Sequence, residues 1–192
     1  MVELNAKSLV DLSEVYRKVS YYFFSYPQAL ISLSDLASNI SSSKTATKQA
    51  VLRLIKEGAI SKIEAGNAWL MKAEQKSKSI IRDKIPYNLQ MIYGSDIISE
   101  VYEKYPNANA ISLFGSYRWG TDNENSDIDI AVEVSGMKKL AIEELGTIKK
   151  FGYRKNVKVN LHIFSRKNTD INLLTNIYNG ILLDGLLEVT DD

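Results

Sequence analysis

Apolar residues in the first third of the chain recur at helical steps and then switch to strand steps. Leu12, Val15, Tyr16, Val19, Tyr22, Phe23 and Tyr26 form one stripe on a first helix beginning near Val10, which must end before Pro27. Ser32-Leu33-Ser34-Asp35 has the form of a capping box with Asp at its last position, and opens a short second helix carrying Leu33, Leu36, Ala37 and Ile40. Ser41-Ser42-Ser43 can cap a third helix over Lys44–Glu57, and Gly58 stands where a left-handed C-terminal residue belongs. Ile60–Glu64 and Ala68–Lys72 then read as strands of a hairpin around Ala65-Gly66-Asn67.

Ser77–Pro106 reads as a helical link, Ile80–Ile85 and Leu89–Tyr105, broken at Pro86 and kinked at Gly94-Ser95. Beyond it the period changes to two. Ala108–Phe114 is a strand ended by Gly115-Ser116, Ser126–Val134 is a second, and Asn156–Phe164 a third. On the second strand Asp127, Asp129, Ala131 and Glu133 share one face, and Ile128, Ile130, Val132 and Val134 share the buried one.

Composition narrows the chemistry. The 192 residues carry 24 Lys+Arg against 23 Asp+Glu, so only a local basic face can serve nucleic acid. With no Cys there is no thiolate metal site and no Cys nucleophile, and the single His, His162, excludes a His-rich metal centre. Met1–Val10 lacks a basic region followed by an apolar stretch, and no apolar run is long enough to span a membrane, so the expected location is the cytoplasm.

The basic face is on the third helix. Ala46, Ala50, Val51, Leu54 and Ile55 are expected inward, with Lys44, Thr45, Lys48, Gln49, Arg53 and Lys56 outward. Between Lys44 and Lys62 five basic residues face one acid, Glu57, a local charge of +4. This order of helices and hairpin resembles winged helix-turn-helix DNA-binding domains. The resemblance implies that Gln49 and Arg53 face base edges while Lys44, Lys48 and Lys56 face phosphates, with Thr45 in the same contact surface and the hairpin near Gly66-Asn67 on the backbone. A homodimer is expected if the DNA site is a palindrome. Protein or tRNA docking modules and plain spacers share the same pattern.

The second half carries the chemistry. Asp127 and Asp129 sit about 7 Å apart at Cα on one strand face, so their oxygens can converge on one hard cation. Gly115 allows close backbone approach to a phosphate, a helix starting at Ser116 turns its first amides to that anion, and Arg118 lies in the same turn. Leu113-Phe114-Gly115-Ser116, ten residues, then Asp127-Ile128-Asp129 resembles the signature of minimal nucleotidyltransferases of the DNA polymerase β superfamily. The resemblance runs from about Ser95 to Val189 and takes in Ile177–Gly185 as the closing stretch.

That resemblance implies an α+β fold: residues 1–75 a winged helix domain, 76–106 a helical linker, and 107–192 a transferase domain with a mixed sheet flanked by helices. It implies Mg²⁺-dependent transfer of a nucleoside monophosphate from an NTP to a hydroxyl of an external acceptor, which is protein, RNA or a small molecule. Antitoxin-like members that modify a partner toxin make a protein acceptor one option. Asp127 and Asp129 would hold the metal, and Gly115, Ser116 and Arg118 the nucleotide. One departure stands out: the position of the superfamily's third carboxylate holds Asn160, and no Asp or Glu occurs in Asn156–Ser165. The alternative expectation is therefore a catalytically weak or inactive nucleotide-binding, DNA-binding regulator. His162 shares the Asn160 face, where a structural or edge role is expected. Glu133 is expected in solvent or paired with Lys138 or Lys158.

Overall fold

A computed structural model describes residues 12–66 and 68–188. The N-terminal segment up to Asp11, the hairpin residue Asn67 and the closing Val189 lie outside the described residues, and with them those parts of the readings above.

The N-terminal unit opens with α1 (Glu14–Ser25), whose first turn is capped by the Ser13 hydroxyl, 3.2 Å from the Tyr16 amide. A two-residue strand, β1 (Ile31–Ser32), leads into α2 (Leu33–Asn39). Ser32 Oγ accepts from the Asp35 amide at 3.1 Å and donates to the Asp35 carboxylate at 2.7 Å, so the shortened capping box closes on itself. Helix α3 (Lys44–Lys56) is capped by Ser43, and β2 (Ile60–Ala65) and β3 (Ala68–Ala73) form the hairpin. β1 pairs with β3 through Ile31 and Met71, giving the order β1-β3-β2. Two residues are too few for a period to be read. On α3 the buried side chains are Thr47, Ala50, Val51 and Leu54, while Ala46 and Ile55 are only partly covered. Thr47 tolerates full burial because its hydroxyl donates to the Ser43 carbonyl at 2.9 Å.

The link differs from its expected form. α4 (Lys78–Tyr93) runs unbroken through Pro86, and the break comes at Gly94-Ser95, before α5 (Ile97–Lys104). Proline removes its own amide and crowds the carbonyl one turn back, a local cost that buried Ile80, Lys84, Tyr87, Asn88 and Ile92 outweigh by anchoring the helix on both sides of it. At the break both the amide and the hydroxyl of Ser95 turn back to the Ile92 carbonyl, at 3.1 and 2.6 Å.

The C-terminal part is a five-stranded mixed sheet. Its elements in chain order are β4 (Ala108–Phe114), α6 (Gly115–Trp119), β5 (Ile128–Val134), β6 (Ala141–Phe151), β7 (Arg154–Phe164), α7 (Ile171–Tyr178) and β8 (Ile181–Gly185). The order is β6-β7-β5-β4-β8, with only β5 and β7 parallel. Ile111, Leu113, Ile128, Ile130, Val159 and Leu161 join the main core on one face. On the other face Phe114, Ala131 and Phe164 form a smaller cluster with Ile177, Leu173 and Leu174 of α7 and with Leu187, and Asp127 and Asp129 stay half-exposed. No helix among the described residues is long and apolar enough to cross a membrane.

One core runs through both halves. The Tyr87 ring on α4 meets Tyr21 and Phe24 of α1 at 4.6 and 5.3 Å, and Phe151 of β6 at 6.1 Å. Burial pushes the Tyr87 hydroxyl up to about 12. The Tyr26 hydroxyl donates to the Tyr153 carbonyl at 2.7 Å, and Ser25 Oγ accepts from the Tyr153 amide at 3.2 Å. Gly152 is the close approach in this junction: it holds φ +62°, and a Cβ there would overlap the Tyr87 hydroxyl and lie 3.0 Å from Ser25 Oγ. Gly152→Ala is expected to cost about 2 kcal/mol from overpacking, read as a lower urea midpoint with unchanged slope.

Candidate active site

The buried run of β4 ends at Phe114, whose register partner on β5 is Asp129. The chain then turns sharply at Gly115, with φ +69°, into the single turn of α6. A Cβ at Gly115 would lie 2.8 Å from Asp129 Oδ2, so only glycine lets the turn sit directly against that carboxylate. Ser116 follows, half-buried, at the start of α6, where no side chain caps the first amides.

Asp127 and Asp129 flank buried Ile128, and both are half-buried. On the neighbouring parallel strand Asn160 is the register partner of Asp129, and His162 that of Ala131. Asn160 Nδ2 lies 3.3 Å from Asp127 Oδ2, and His162 Nε2 lies 3.2 Å from Asp129 Oδ1. Four polar side chains therefore line the open end of the sheet as two pairs. His162 is not at an edge, since β7 lies between β6 and β5. Its ring makes a T-shaped contact with Phe114 at 4.8 Å, and its Nδ1 is buried with no hydrogen-bond partner.

The loop between the turn and Asp127 is fixed from beneath by groups that no motif announces. Lys84 and Asp122 are each 3% exposed and 3.0 Å apart, and Lys84 Nζ also reaches the Asp122 carbonyl at 2.5 Å. Asn88 donates to Asp122 Oδ1 at 2.8 Å and to the Tyr117 carbonyl at 3.0 Å. Arg154 bonds the Tyr117 hydroxyl and, at 2.7 Å, the Ser126 carbonyl. Both ends of the loop, one residue from Ser116 and one from Asp127, are thus held. Burial is the larger influence on the ion pair: it raises the Asp122 carboxyl and lowers the Lys84 ammonium, against the pull of the partner charge. The only trace in the sequence is a Lys and an Asn one turn apart on an otherwise apolar helix face.

Other assigned residues lie elsewhere. Arg118 is engaged by its neighbours: its Nε donates to the Asn179 carbonyl at 2.6 Å and its guanidinium lies 3.7 Å over the Trp119 ring. Glu133 is neither solvated nor paired with Lys138 or Lys158. It is 3% exposed and accepts from Arg166 Nε at 2.6 Å, because α7 and the segment before it cover that end of the face. In the N-terminal unit Lys44, Thr45, Lys48 and Gln49 are exposed on the first turns of α3. Lys44, Thr45, Lys48 and Trp69 line a cleft of about 600 Å³ that opens on Ser32 and Ser34. Lys48 and Lys62 both lie over the Trp69 ring, at 4.8 and 4.2 Å. Arg53 is also exposed but is turned to α1, with its Nε 3.0 Å from Glu57 and its guanidinium 4.7 Å from the Tyr16 ring.

The donor set suits a hard divalent cation that arrives with a polyphosphate. Two carboxylates and an amide meet its preference for oxygen, and the missing Cβ at Gly115 leaves Asp129 uncrowded. Among the described residues no three His, Asp or Glu side chains already converge as a complete cage, so phosphate and water would fill the remaining positions.

Residues 96–184 match the family model described as polymerase beta, nucleotidyltransferase. The match supports the polymerase beta superfamily. It begins with Asp96, the N-cap of α5, and ends within β8, the last of the five strands. The mixed α+β arrangement fits such a domain. The polymerase beta-like segment excludes α4, although α4 supplies Lys84 and Asn88 to the loop beside its carboxylates. No curated protein matches the chain.

Proposed function

We propose that the chain is a Mg²⁺-dependent nucleotidyltransferase that moves a nucleoside monophosphate from an NTP to a hydroxyl on an external protein, RNA or small molecule. The observation that carries this reading is the Asp127–Asp129 pair, the first just before β5 and the second on it, with the Gly115 turn packed against Asp129. The family match supports nucleotidyl transfer in general. Bound Mg²⁺ supplies the positive charge that neutralises the triphosphate and lowers the pKa of the attacking hydroxyl. Asp127 and Asp129 hold and orient that charge. The amides at Gly115 and Ser116 would face the phosphates, and the Lys84–Asp122 lock would keep turn and carboxylates in register. Transfer of label from α-labelled NTPs into a lysate acceptor pool tests the reading, and label on protein or RNA that EDTA abolishes is the expected result.

A second reading rests on one observation. Asn160 occupies the position of a third carboxylate and contacts Asp127, so the site has one charge fewer than the superfamily pattern implies. This favours a regulator that binds nucleotide without turnover. Asn160→Asp separates the two: a silent wild type with an active variant favours the regulator, and an active wild type favours the enzyme.

The N-terminal unit is proposed to be a winged helix that contacts DNA. Its order α1-β1-α2-α3-β2-β3 and the exposed Lys44, Thr45, Lys48 and Gln49 support this. Arg53 contributes less, since it is engaged with Glu57 and Tyr16. Lys44→Ala with Lys48→Ala is expected to weaken duplex DNA binding and reduce the slope of log K against log salt by about 2. Arg53→Ala is expected to change neither by more than a fraction of that. Filter binding at four salt concentrations reads both.

A further inference from the structure

We infer that His162 is a metal ligand, standing in for the carboxylate absent at Asn160, and that it biases the site toward a transition-metal dication such as Mn²⁺. This rests on the metal reading of Asp127 and Asp129 and adds a nitrogen to it.

Three observations point to His162. It is the next residue after Asn160 on the same strand face, so it projects beside the carboxylates from the strand where the third acid is expected. Its Nε2 lies 3.2 Å from Asp129 Oδ1. Two donors each about 2.1 Å from one octahedral ion and at right angles are about 3 Å apart, so this pair has the spacing of adjacent ligands. Finally, the ring packs against Phe114 at 4.8 Å, which helps to hold Nε2 toward Asp129.

The chemistry follows from donor softness. Mg²⁺ prefers oxygen and binds imidazole poorly, whereas affinity for nitrogen rises from Mn²⁺ along the first transition row. Replacing a carboxylate by an amide and adding an imidazole lowers the negative charge and adds a borderline donor. Both changes disfavour Mg²⁺ relative to Mn²⁺. A His that only hydrogen-bonds Asp129 would support either metal equally.

The chain has one His, which makes the test direct. Protein without a polyhistidine tag is loaded with Mn²⁺ and ATP, and electron spin-echo modulation is recorded with natural-abundance and ¹⁵N-labelled His. The expected result is a modulation of bound-imidazole strength that changes from ¹⁴N to ¹⁵N on labelling. Asp127→Asn with Asp129→Asn should abolish Mn²⁺ binding. His162→Gln should weaken Mn²⁺ binding about tenfold or more and leave Mg²⁺ binding, read by competition, nearly unchanged. Mn²⁺ bound through the carboxylates with no nitrogen modulation, or with equal losses for both metals in His162→Gln, overturns the inference and leaves the transferase reading standing. Mn²⁺ binding that ignores the Asp127/Asp129 substitutions overturns both. The labelling arm uses only the wild-type chain, so a misfolded variant does not blunt it.

Discussion

Replacing Asp127 and Asp129 together by Asn is expected to abolish divalent-dependent NTP binding while leaving the protein folded. Asn keeps the shape of Asp and can still hydrogen-bond Asn160 and His162, so the geometry of the open sheet end survives. What disappears is two negative charges. A metal that stabilises a triphosphate by several kcal/mol has no anchor without them, and transfer should fall by about 10³-fold or more. The stability response should have the opposite sign. Two half-buried carboxylates two residues apart on one strand face repel each other, so their neutralisation should leave the melting temperature unchanged or raise it by a few degrees. Titration of a fluorescent NTP with and without EDTA, beside a thermal melt, checks both halves. Retained affinity would remove Asp127 and Asp129 as the metal-binding pair. Lost affinity with a lower melting temperature would point to a structural role instead.

Why this pair was legible in the sequence is physical. A strand has a period of two, so alternating Ile and Asp over Ile128–Ile130 reports its own buried and open faces. Asn160 was equally legible, since Val157, Val159 and Leu161 mark the buried face of β7 and leave Asn160 on the other. The caps at Ser32 and Ser43 were local for the same reason: a hydroxyl and an amide three residues apart need no tertiary context.

Elements whose partners lie far along the chain were not legible. β6 contains Glu143-Glu144, Lys149-Lys150 and a bulge between Glu144 and Gly146, which blur its period, so it declares itself only by pairing with β7. Pro86 reads locally as a break, yet the helix is held by contacts with Tyr21, Phe24 and Phe151 that no local pattern encodes. Arg118, Arg53 and Glu133 were legible as charges and not by destination. A long or buried charged side chain takes the partner that folding brings near, here the Asn179 carbonyl, Glu57 and Arg166.

The largest stability effect is expected from a residue that sequence reading passes over. Lys84→Met should cost about 3–5 kcal/mol, because it leaves the Asp122 carboxylate buried without its counter-charge. The loss has a second part, since Lys84 also holds the Asp122 carbonyl at 2.5 Å, and a buried carbonyl without a donor is unfavourable in its own right. Lys84→Met with Asp122→Asn should recover much of the first part and little of the second. In that variant the amide oxygen still accepts from Asn88, as Asp122 Oδ1 does at 2.8 Å, and neither position of the pair carries a charge. Urea unfolding of the wild type, both single variants and the double variant gives the coupling between the two charges. A coupling near zero would mean that the pair is not an ion pair in the folded protein. The same loss of partners would follow from cutting the chain at the start of the family-matched segment. Lys84 and Asn88 lie before residue 96, so a fragment limited to the family-matched residues keeps Asp122 and loses both of its partners. Such a fragment should fold less stably than the Lys84→Met protein, because it also loses the Tyr87 contact with Phe151.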